Sequence, residues 1–407
     1  MRVVTLGSEA TPEQVRGLVP KASDVEAPVR EIVADVRQRG DAALRELTKR
    51  FDGIEVDDLR VPEADLDDVE PELRQAMKLA AENVRTVADA GLREPYEAGL
   101  EQGQRVEIRE LPVRRAAAYV PGGRAPYPST VIMCAVTARA AGVEELAVCA
   151  PNAHPAVLAA CAVCGIGEVY RVGGAQAIAA LAYGTETIRP VDVIVGPGNR
   201  YVTEAKRQVA GDVGIDGLAG PSELVVVASE GADPELVALD LCAQAEHGED
   251  SLVCVITPDE DILRRVLGSV QLIAGSFESV ANAPLAAVLA WDSERAVRLA
   301  NAIAPEHLQL MGEEAESLGG LVTQAGCLFV GRDAATAFGD YVAGSNHVLP
   351  TGGAARFQSA LSPATFRRRM ARVSLPPGAA ARLAPAGAAL ARAEGFPVHG
   401  ESMERRA

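Results

Sequence analysis

Positive charge is scarce in this chain of 407 residues, in which 39 lysines and arginines face 56 aspartates and glutamates. The net charge of −17 argues against a protein that binds nucleic acid or an anionic membrane surface. A composition with 48% apolar and 23% charged residues also argues against disorder and predicts a globular protein of two to four structural units.

The sequence has no uninterrupted apolar segment of membrane-spanning length. Its longest stretch without a charged residue, 146–167, contains Pro151, Asn152, His154 and Pro155, which predict a strand, a turn and a helix. The first ten residues lack the apolar core of a secretory signal. Seven cysteines, an odd number scattered through apolar runs, do not suggest a disulfide framework, so we expect a cytoplasmic protein with reduced thiols.

The hydrophobic pattern predicts an α/β protein. Residues 11–50 have helical periodicity, and from about residue 118 short β-rich runs alternate with helical ones, as in parallel sheets. We expect two incomplete Rossmann-like parallel-sheet domains, one inserted in the other, between a helical N-terminal segment and a helical C-terminal tail. The predicted units are a helical segment at 1–24, a first α/β domain at 25–117 and 224–362, an inserted nucleotide-binding domain at 118–223, and a tail at 363–407.

Only five histidines are present, and four of them have polar neighbours that suit a reactive site. Gln244 and His247 are three positions apart on a predicted helix that Gly248 would end, so both face the same side. Such a pair can bind a metal, or it can simply mark a capped helix end. The other three pairs are Glu306 with His307 at a helix predicted to begin at Pro305, Asp340 with His347 in a glycine-rich loop, and Glu394 with His399 near the C-terminus.

Glycine-rich turns precede three predicted helices. VGPGNRYVTEAK follows a predicted strand but provides only Gly196 and Gly198, so the full dinucleotide-binding fingerprint is absent. YVPGG at 119–123 and VGGAQ at 172–176 are similar turns. Each can present backbone N–H groups to a phosphate at a helix N-terminus.

Taken together, the motifs resemble the histidinol dehydrogenase family. Those that carry the resemblance run in family order from residue 29 to residue 399: VREIVADVRQRGDAAL, AYVPGGRAPYPSTVIM, GGAQAIAALAYGT, VGPGNRYVTEAKRQV, AGPSEL, AQAEHG, APEHL, GDYVAGSNHVLPTGG and AEGFPVH. None is specific alone, but nine in this order are. The resemblance implies NAD-dependent oxidation of L-histidinol, through L-histidinal, to L-histidine, in the last steps of histidine biosynthesis.

The resemblance also implies the roles of individual residues. One Zn²⁺ per subunit would be bound by Gln244, His247, Asp340 and His399, a set of nitrogen and oxygen donors that leaves room for a nitrogenous substrate. His307 would accept the hydroxyl proton in the first step, and Glu306 would activate water in the second. The substrate would contact these metal ligands and this pair, together with Ser222, His347 and Glu394. NAD contacts would fall on Tyr119, Gln176 and Asn199.

Family members are homodimers in which the tail completes the partner's site, so we expect His399 and Glu394 to act across an interface. The tail has eight arginines and three glutamates, a basic segment on an acidic chain, which is consistent with such an arm. Three other functions stay open from the sequence: an NAD- and zinc-dependent dehydrogenase of another small alcohol such as a sulfonated diol, a zinc hydrolase, and a non-catalytic relative.

Overall fold

The computed structural model describes residues 1–20, 23–63, 69–122 and 125–407. Gly123, the last glycine of the YVPGG turn, lies outside the described residues. The strands are β1 Arg2–Leu6, β2 Tyr96–Gly99, β3 Arg105–Pro112, β4 Arg115–Tyr119, β5 Glu145–Cys149, β6 Val169–Tyr170, β7 Val193–Val195, β8 Gly214–Ile215, β9 Glu223–Ala228, β10 Leu252–Thr257, β11 Pro284–Leu289, β12 His307–Met311, β13 Cys327–Val330 and β14 Arg367–Ser374.

Helices separate most of these strands, as the alternating pattern predicts. They are α1 Pro12–Arg16, α2 Glu26–Arg39, α3 Asp41–Asp52, α4 Pro71–Ala90, α5 Pro128–Ala141, α6 Pro155–Val163, α7 Gly174–Tyr183, α8 Arg200–Val209, α9 Pro234–Ala245, α10 Glu260–Ser276, α11 Ser293–Ile303, α12 Glu313–Ser317, α13 Thr336–Tyr341, α14 Ala379–Ala393 and α15 Pro397–Glu404. Short 3-10 turns supplement them at Gly319–Leu321, Ala354–Arg356 and Pro363–Phe366.

Two parallel sheets form the body of the protein. The larger has the order β1-β11-β10-β9-β12-β13, and the smaller has the order β6-β5-β4-β7-β8. Apart from the added edge strand β1, both follow the order 3-2-1-4-5 of a doubly wound fold. The central strands β9 and β10 are buried along their whole length, as expected where helices cover both faces of a sheet.

The two sheets meet through opposite edges. The carboxyl ends of β4 and β7 in the five-stranded sheet face the amino ends of β9, β10 and β12 in the six-stranded sheet, and loops from both sides line one cleft. The connections that leave the five-stranded sheet there enter α5, α7 and α8, so these helices begin near that edge. Helix α9 ends near the same cleft, one short turn before β10 begins.

The structure confirms the α/β fold with two parallel Rossmann-like sheets, but several local predictions are wrong. Residues 1–24 contain β1 as well as helix α1. Glu306 and His307 do not begin a helix, because His307 starts strand β12, which pairs with β9 and β13. The buried position between two strands outweighs the preference of Pro305 for a helix start.

The segment between the N-terminus and β4 packs differently from the prediction. Buried apolar residues of α2 and α3 contact the five-stranded sheet, and α4 packs on α5 beside the same sheet. Strand β4 itself belongs to that sheet. The domain boundaries drawn from the sequence stay a prediction, but α2, α3 and α4 pack beside the smaller sheet.

The C-terminal tail is helical only in part. Strand β14 pairs antiparallel with β3, which also pairs with β2, in a third sheet. Helices α14 and α15 follow it and pack on each other. Across the described ranges, no helix is both long and apolar enough to cross a lipid bilayer.

Candidate active site

The cleft between the two sheets has a volume of about 390 Å³. Seven of the residues singled out in the sequence line it, namely Asn199, Ser222, His247, Glu306, His307, Asp340 and His347. They come from five separate stretches of the chain, and the strand order alone brings them together. Turns at Pro121–Gly122 and Pro197–Gly198, whose small side chains leave the main chain accessible, form the opposite wall.

Glu306 and His307 lie at the amino end of β12, and both are buried, with exposures of 6% and 3%. Ala304 and Pro305 bring the chain to this position. Ala304 ends α11 in the left-handed conformation at φ 50°, and Pro305 leads directly into strand β12. Their side chains stay close, since His307 Nδ1 is 3.6 Å from Glu306 Oε2.

The main chain of Glu223 holds both side chains in place. Its N–H donates to Glu306 Oε2 at 2.8 Å, and its carbonyl oxygen lies 3.1 Å from His307 Nδ1. Because a carbonyl can only accept, Nδ1 carries the proton, and in the neutral ring Nε2 then has the lone pair. His307 Nε2 faces Asp340 Oδ1 at 3.4 Å.

Electrostatic coupling between the acidic and imidazole groups is strong. Burial raises the pKa of the Glu306 carboxyl to about 7, although the neighbouring His307 and the Glu223 N–H both act to lower it. Burial alone would lower the pKa of His307, but the carboxylates of Glu306 and Asp340 outweigh it and raise the pKa. Perturbed neighbouring groups of this kind are typical of acid–base sites.

Asp340 connects His307 to His347. Asp340 lies in α13, and its carbonyl oxygen is 2.8 Å from His347 Nδ1. The other ring nitrogen of His347, Nε2, is 3.4 Å from the Thr130 hydroxyl. Burial alone would raise the pKa of Asp340, but the hydrogen bond and charge of His307, with the charges of His347 and His247, lower it.

Gln244 and His247 lie at the end of α9, with Gln244 in the last turn and His247 just beyond it. The prediction that both share the helix is therefore wrong by two residues. Gln244 is 3% exposed, and its amide Nε2 has no hydrogen-bond partner within the described ranges. Since the two ends of an amide are assigned from their partners, an unpaired buried amide one turn before His247 fits a metal ligand, although Gln244 itself does not line the cleft.

The donors within one chain nevertheless form an incomplete metal site. In the part of the chain that the structure describes, no group of three or more His, Cys, Asp or Glu side chains is arranged to hold a metal ion. His399 and Glu394 are exposed on the tail, and neither lines the cleft. His399 instead packs against Phe396, with the ring centroids 5.4 Å apart and the ring planes tilted by 49°. The residues therefore fit Zn²⁺ only if a further donor joins Gln244, His247 and Asp340.

The three predicted NAD contacts lie at the carboxyl edge of the five-stranded sheet. Tyr119 ends β4, and its hydroxyl accepts a hydrogen bond of 3.0 Å from Gly174 N–H. Gln176 is buried in the first turn of α7. Asn199 caps α8, accepting from the N–H groups of the next turn at 2.9 and 3.2 Å. Of the three, only Asn199 lines the cleft.

A buried ion pair fixes the Gly-Pro-Gly-Asn turn before α8. Lys206 Nζ donates to Asp216 Oδ1 and to the carbonyl of Gly196, both at 2.6 Å. Asp216 Oδ2 accepts from Gly196 N–H at 2.6 Å. Gly196 has φ 109°, and a Cβ there would be 2.1 Å from the Tyr119 carbonyl oxygen. Only glycine fits this position, because the turn packs directly against the end of β4.

Sequence reasoning missed the residues that support the site from behind. Glu223, the glutamate of AGPSEL, organises Glu306 and His307 but received no role, and Arg16, its ion-pair partner at 2.8 Å, lies far away in sequence. The signal for Glu223 was a charged residue at the start of an otherwise apolar strand. No pattern in the sequence pointed to Arg16.

Comparison with known proteins identifies the family. A family model described as histidinol dehydrogenase matches residues 19–407. The chain belongs to the histidinol dehydrogenase family. Similar proteins named histidinol dehydrogenase occur in Gluconobacter oxydans, 43% identical over 96% of this chain and 95% of the relative, and in Synechococcus, 46% identical over 94% and 92%.

The fold agrees with a solved member of the histidinol dehydrogenase family. The crystal structure of histidinol dehydrogenase from Elizabethkingia anophelis matches with a TM-score of 0.93 at 33% identity, covering 99% of this chain and 97% of that chain. The resemblance read from the sequence motifs is therefore confirmed, together with the α/β fold class.

Proposed function

We propose that this protein is an NAD- and zinc-dependent histidinol dehydrogenase that oxidises L-histidinol through L-histidinal to L-histidine. The observation that carries the proposal is the buried pair of Glu306 and His307 at the head of β12, both held by the main chain of Glu223. Family membership supports the substrate and the reaction class. The sulfonated-diol dehydrogenase, hydrolase and non-catalytic alternatives have no observation in their favour.

His307 acts as the base of the first oxidation. Its Nδ1–H donates to the Glu223 carbonyl, which aims Nε2 toward the cleft and Asp340. The carboxylates of Glu306 and Asp340 raise the pKa of this ring, so it acts as a base only in its neutral form. In that form Nε2 can accept the hydroxyl proton of histidinol while a hydride leaves the carbon that bears the hydroxyl. NAD bound at the carboxyl edge of the five-stranded sheet would accept that hydride.

Glu306 serves the second oxidation. Its carboxyl group, with a pKa raised to about 7 by burial, is suited to take a proton from water near neutral pH. The water adds to the aldehyde carbon, and the hydrate formed loses a hydride to a second NAD and a hydroxyl proton to the neighbouring base to give the acid. Two adjacent groups thus serve two successive steps at one carbon atom.

The remaining site residues bind and orient the substrate. Gln244, His247, Asp340 and His399 would hold Zn²⁺, which when bound would ligate the nitrogen atoms of histidinol and offset the charge of Asp340. Ser222 and His347 line the cleft beside these donors. Glu394 would pair with the substrate's cationic amine. Tyr119, Gln176 and Asn199 would bind NAD.

Product stoichiometry tests the reaction. Purified protein with L-histidinol, NAD and Zn²⁺ should release about two NADH for each histidinol consumed, because each oxidation transfers one hydride. Release of a single NADH with an aldehyde as the final product would contradict the four-electron reaction. Omitting histidinol, or replacing it with a sulfonated diol, provides the substrate control.

We further propose a homodimer in which His399 and Glu394 of one subunit complete the cleft of the other. The supporting observations are the incomplete donor set within one chain and the exposed position of both residues on the tail. An inactive His307→Asn variant mixed with an inactive His399→Ala variant tests this. After subunit exchange, heterodimers should contain one intact site, and activity should return to about a quarter of the wild-type value. If subunit exchange is verified and activity does not return, the sites are not shared.

A further inference from the structure

Arg16 and the Glu223 side chain form a buried connection behind the proposed catalytic pair. Arg16 ends helix α1, and its Nη1 and Nη2 lie 2.8 and 3.3 Å from the two carboxylate oxygens of Glu223. The Arg16 side chain is 25% exposed and that of Glu223 is 6% exposed. A two-pronged pair with little solvent access fixes orientation as well as charge.

The same guanidinium holds the turn that leads to Glu306. Arg16 Nε donates to the carbonyl of Ile303 at 3.0 Å, and Nη2 donates to the carbonyl of Ala304 at 3.2 Å. Ala304 has the left-handed conformation at φ 50°, which costs free energy in a residue other than glycine. Arg16 therefore stabilises a strained turn two residues before Glu306.

The Glu223 carboxylate completes the connection from the other side. Its Oε2 accepts from the N–H of Glu306 at 3.2 Å, and its Oε1 accepts from the N–H of Gly352 at 2.9 Å. The main chain of Glu223 meanwhile holds the Glu306 carboxyl and the His307 ring. Glu223 thus contacts the catalytic pair through its N–H, its carbonyl and its side chain, and Arg16 fixes that side chain.

We infer that Arg16 and Glu223 are positioning residues that set the place of Glu306 and His307. The N-terminal helix α1 is then part of the catalytic apparatus, although it precedes residue 19, where the family match begins. This inference rests on the proposed function for the roles of the pair. A displacement of either group by about 1 Å can cost roughly 100-fold in rate, so a residue that touches no substrate can still control turnover.

The kinetic test compares Arg16→Met and Glu223→Gln with the wild-type protein. We expect kcat for aldehyde oxidation to fall by about 10- to 100-fold, with an unchanged KM for NAD, because the nucleotide side of the cleft is untouched. Arg16→Lys should recover only part of the rate, since an ammonium cannot bind the carboxylate and both carbonyls together. Arg2→Met is the control, because it removes a positive charge from the same N-terminal segment without contacting Glu223.

A purely structural ion pair would give a different result. Activity would then fall only in proportion to the folded fraction, and kcat per folded molecule would stay at the wild-type value, which would overturn the inference.

Amide hydrogen exchange provides a readout that does not depend on turnover. Peptides that contain the Glu306 N–H should lose protection in Arg16→Met and Glu223→Gln but not in Arg2→Met. Unchanged protection would overturn the inference even if the wild-type protein is active. A wild-type protein that yields no NADH from histidinol would instead contradict the proposed function, and the exchange result would still decide whether Arg16 positions Glu306.

Discussion

The five-stranded and six-stranded sheets have the same strand order, yet they present opposite edges to the cleft. At the carboxyl edge of the smaller sheet, α5, α7 and α8 begin, and the lining consists mainly of backbone turns. At the amino edge of the larger sheet, α9 ends, and most of the lining side chains are titratable. One architecture therefore provides two chemically different walls.

Helix direction explains why the two walls suit different ligands. Helix N-termini carry partial positive charge and unpaired N–H groups, which favour an anionic dinucleotide at the smaller sheet. Helix C-termini carry partial negative charge, which favours a cation near Gln244 and His247 at the end of α9. Strand order alone therefore does not locate a nucleotide site. Which edge of the sheet faces the cleft decides whether helix N-termini or helix C-termini lie beside the ligand.

The substitution with the largest expected effect changes only the wall of titratable side chains at the larger sheet. Glu306→Gln should reduce the rate of aldehyde oxidation by about 10²- to 10⁴-fold, because the general base for water is lost. The first oxidation and the KM for NAD should stay near wild type, since Gln can still accept the Glu223 N–H bond. Stopped-flow measurement of each step, with histidinol and with histidinal as substrates, checks this. An equal loss in both steps would refute the role assigned to Glu306.

The substitution with the second largest expected effect changes only the wall of backbone turns at the smaller sheet. In Gly196→Ala the new Cβ would lie 2.1 Å from the Tyr119 carbonyl oxygen, so the turn must move, and KM for NAD should rise by about 10-fold or more. Gly211→Ala is a matched control, because Gly211 has φ 107° but open space around its Cβ position. It should cost only about 1 kcal/mol of stability. Equal KM values for NAD in the two variants would contradict a role for the Gly196 turn.

The smallest effect concerns a buried carboxyl behind the side-chain wall. Asp240 of α9 is 7% exposed and accepts a hydrogen bond of 2.7 Å from Gln309 of β12. Burial raises the pKa of Asp240 to about 6, against the opposing effect of the Gln309 bond. Since the folded state disfavours the carboxylate, the free energy of unfolding should fall as pH rises from about 4 to about 6.

Asp240→Asn removes this charge and should raise stability at pH 7 by on the order of 1–2 kcal/mol. An asparagine can also donate to Gln309 Oε1, which has no hydrogen-bond partner within the described residues. Urea unfolding at pH 5 and pH 8 measures the effect. Asp333→Asn, at a side chain that is 99% exposed, removes the same charge as a control. A gain of the same size in both variants would show that burial is not the cause.

Much of the fold could be predicted because buried parallel strands are continuous apolar runs. The apolar runs at 222–229 and 251–257 contain β9 and β10, and the helical runs between the strands of the smaller sheet correspond to α7 and α8. The prediction that a helix begins at Pro305 was wrong because a proline is as compatible with the start of a strand as with the start of a helix. The antiparallel sheet of β2, β3 and β14 was missed because its exposed, charged strands lack the apolar signal.

The sequence by itself determined the family and the parallel α/β architecture, because nine motifs in family order are specific together and buried parallel strands are continuous apolar runs. The residues for acid–base chemistry are a prediction from the same motifs. Only the tertiary structure decided which of them meet. It placed Ser222, Glu306 and Asp340 around one cleft, left His399 on an exposed tail, and joined Arg16 to Glu223 across about two hundred residues of chain. Contacts of this kind depend on how strand edges face each other, and residue spacing carries no record of that.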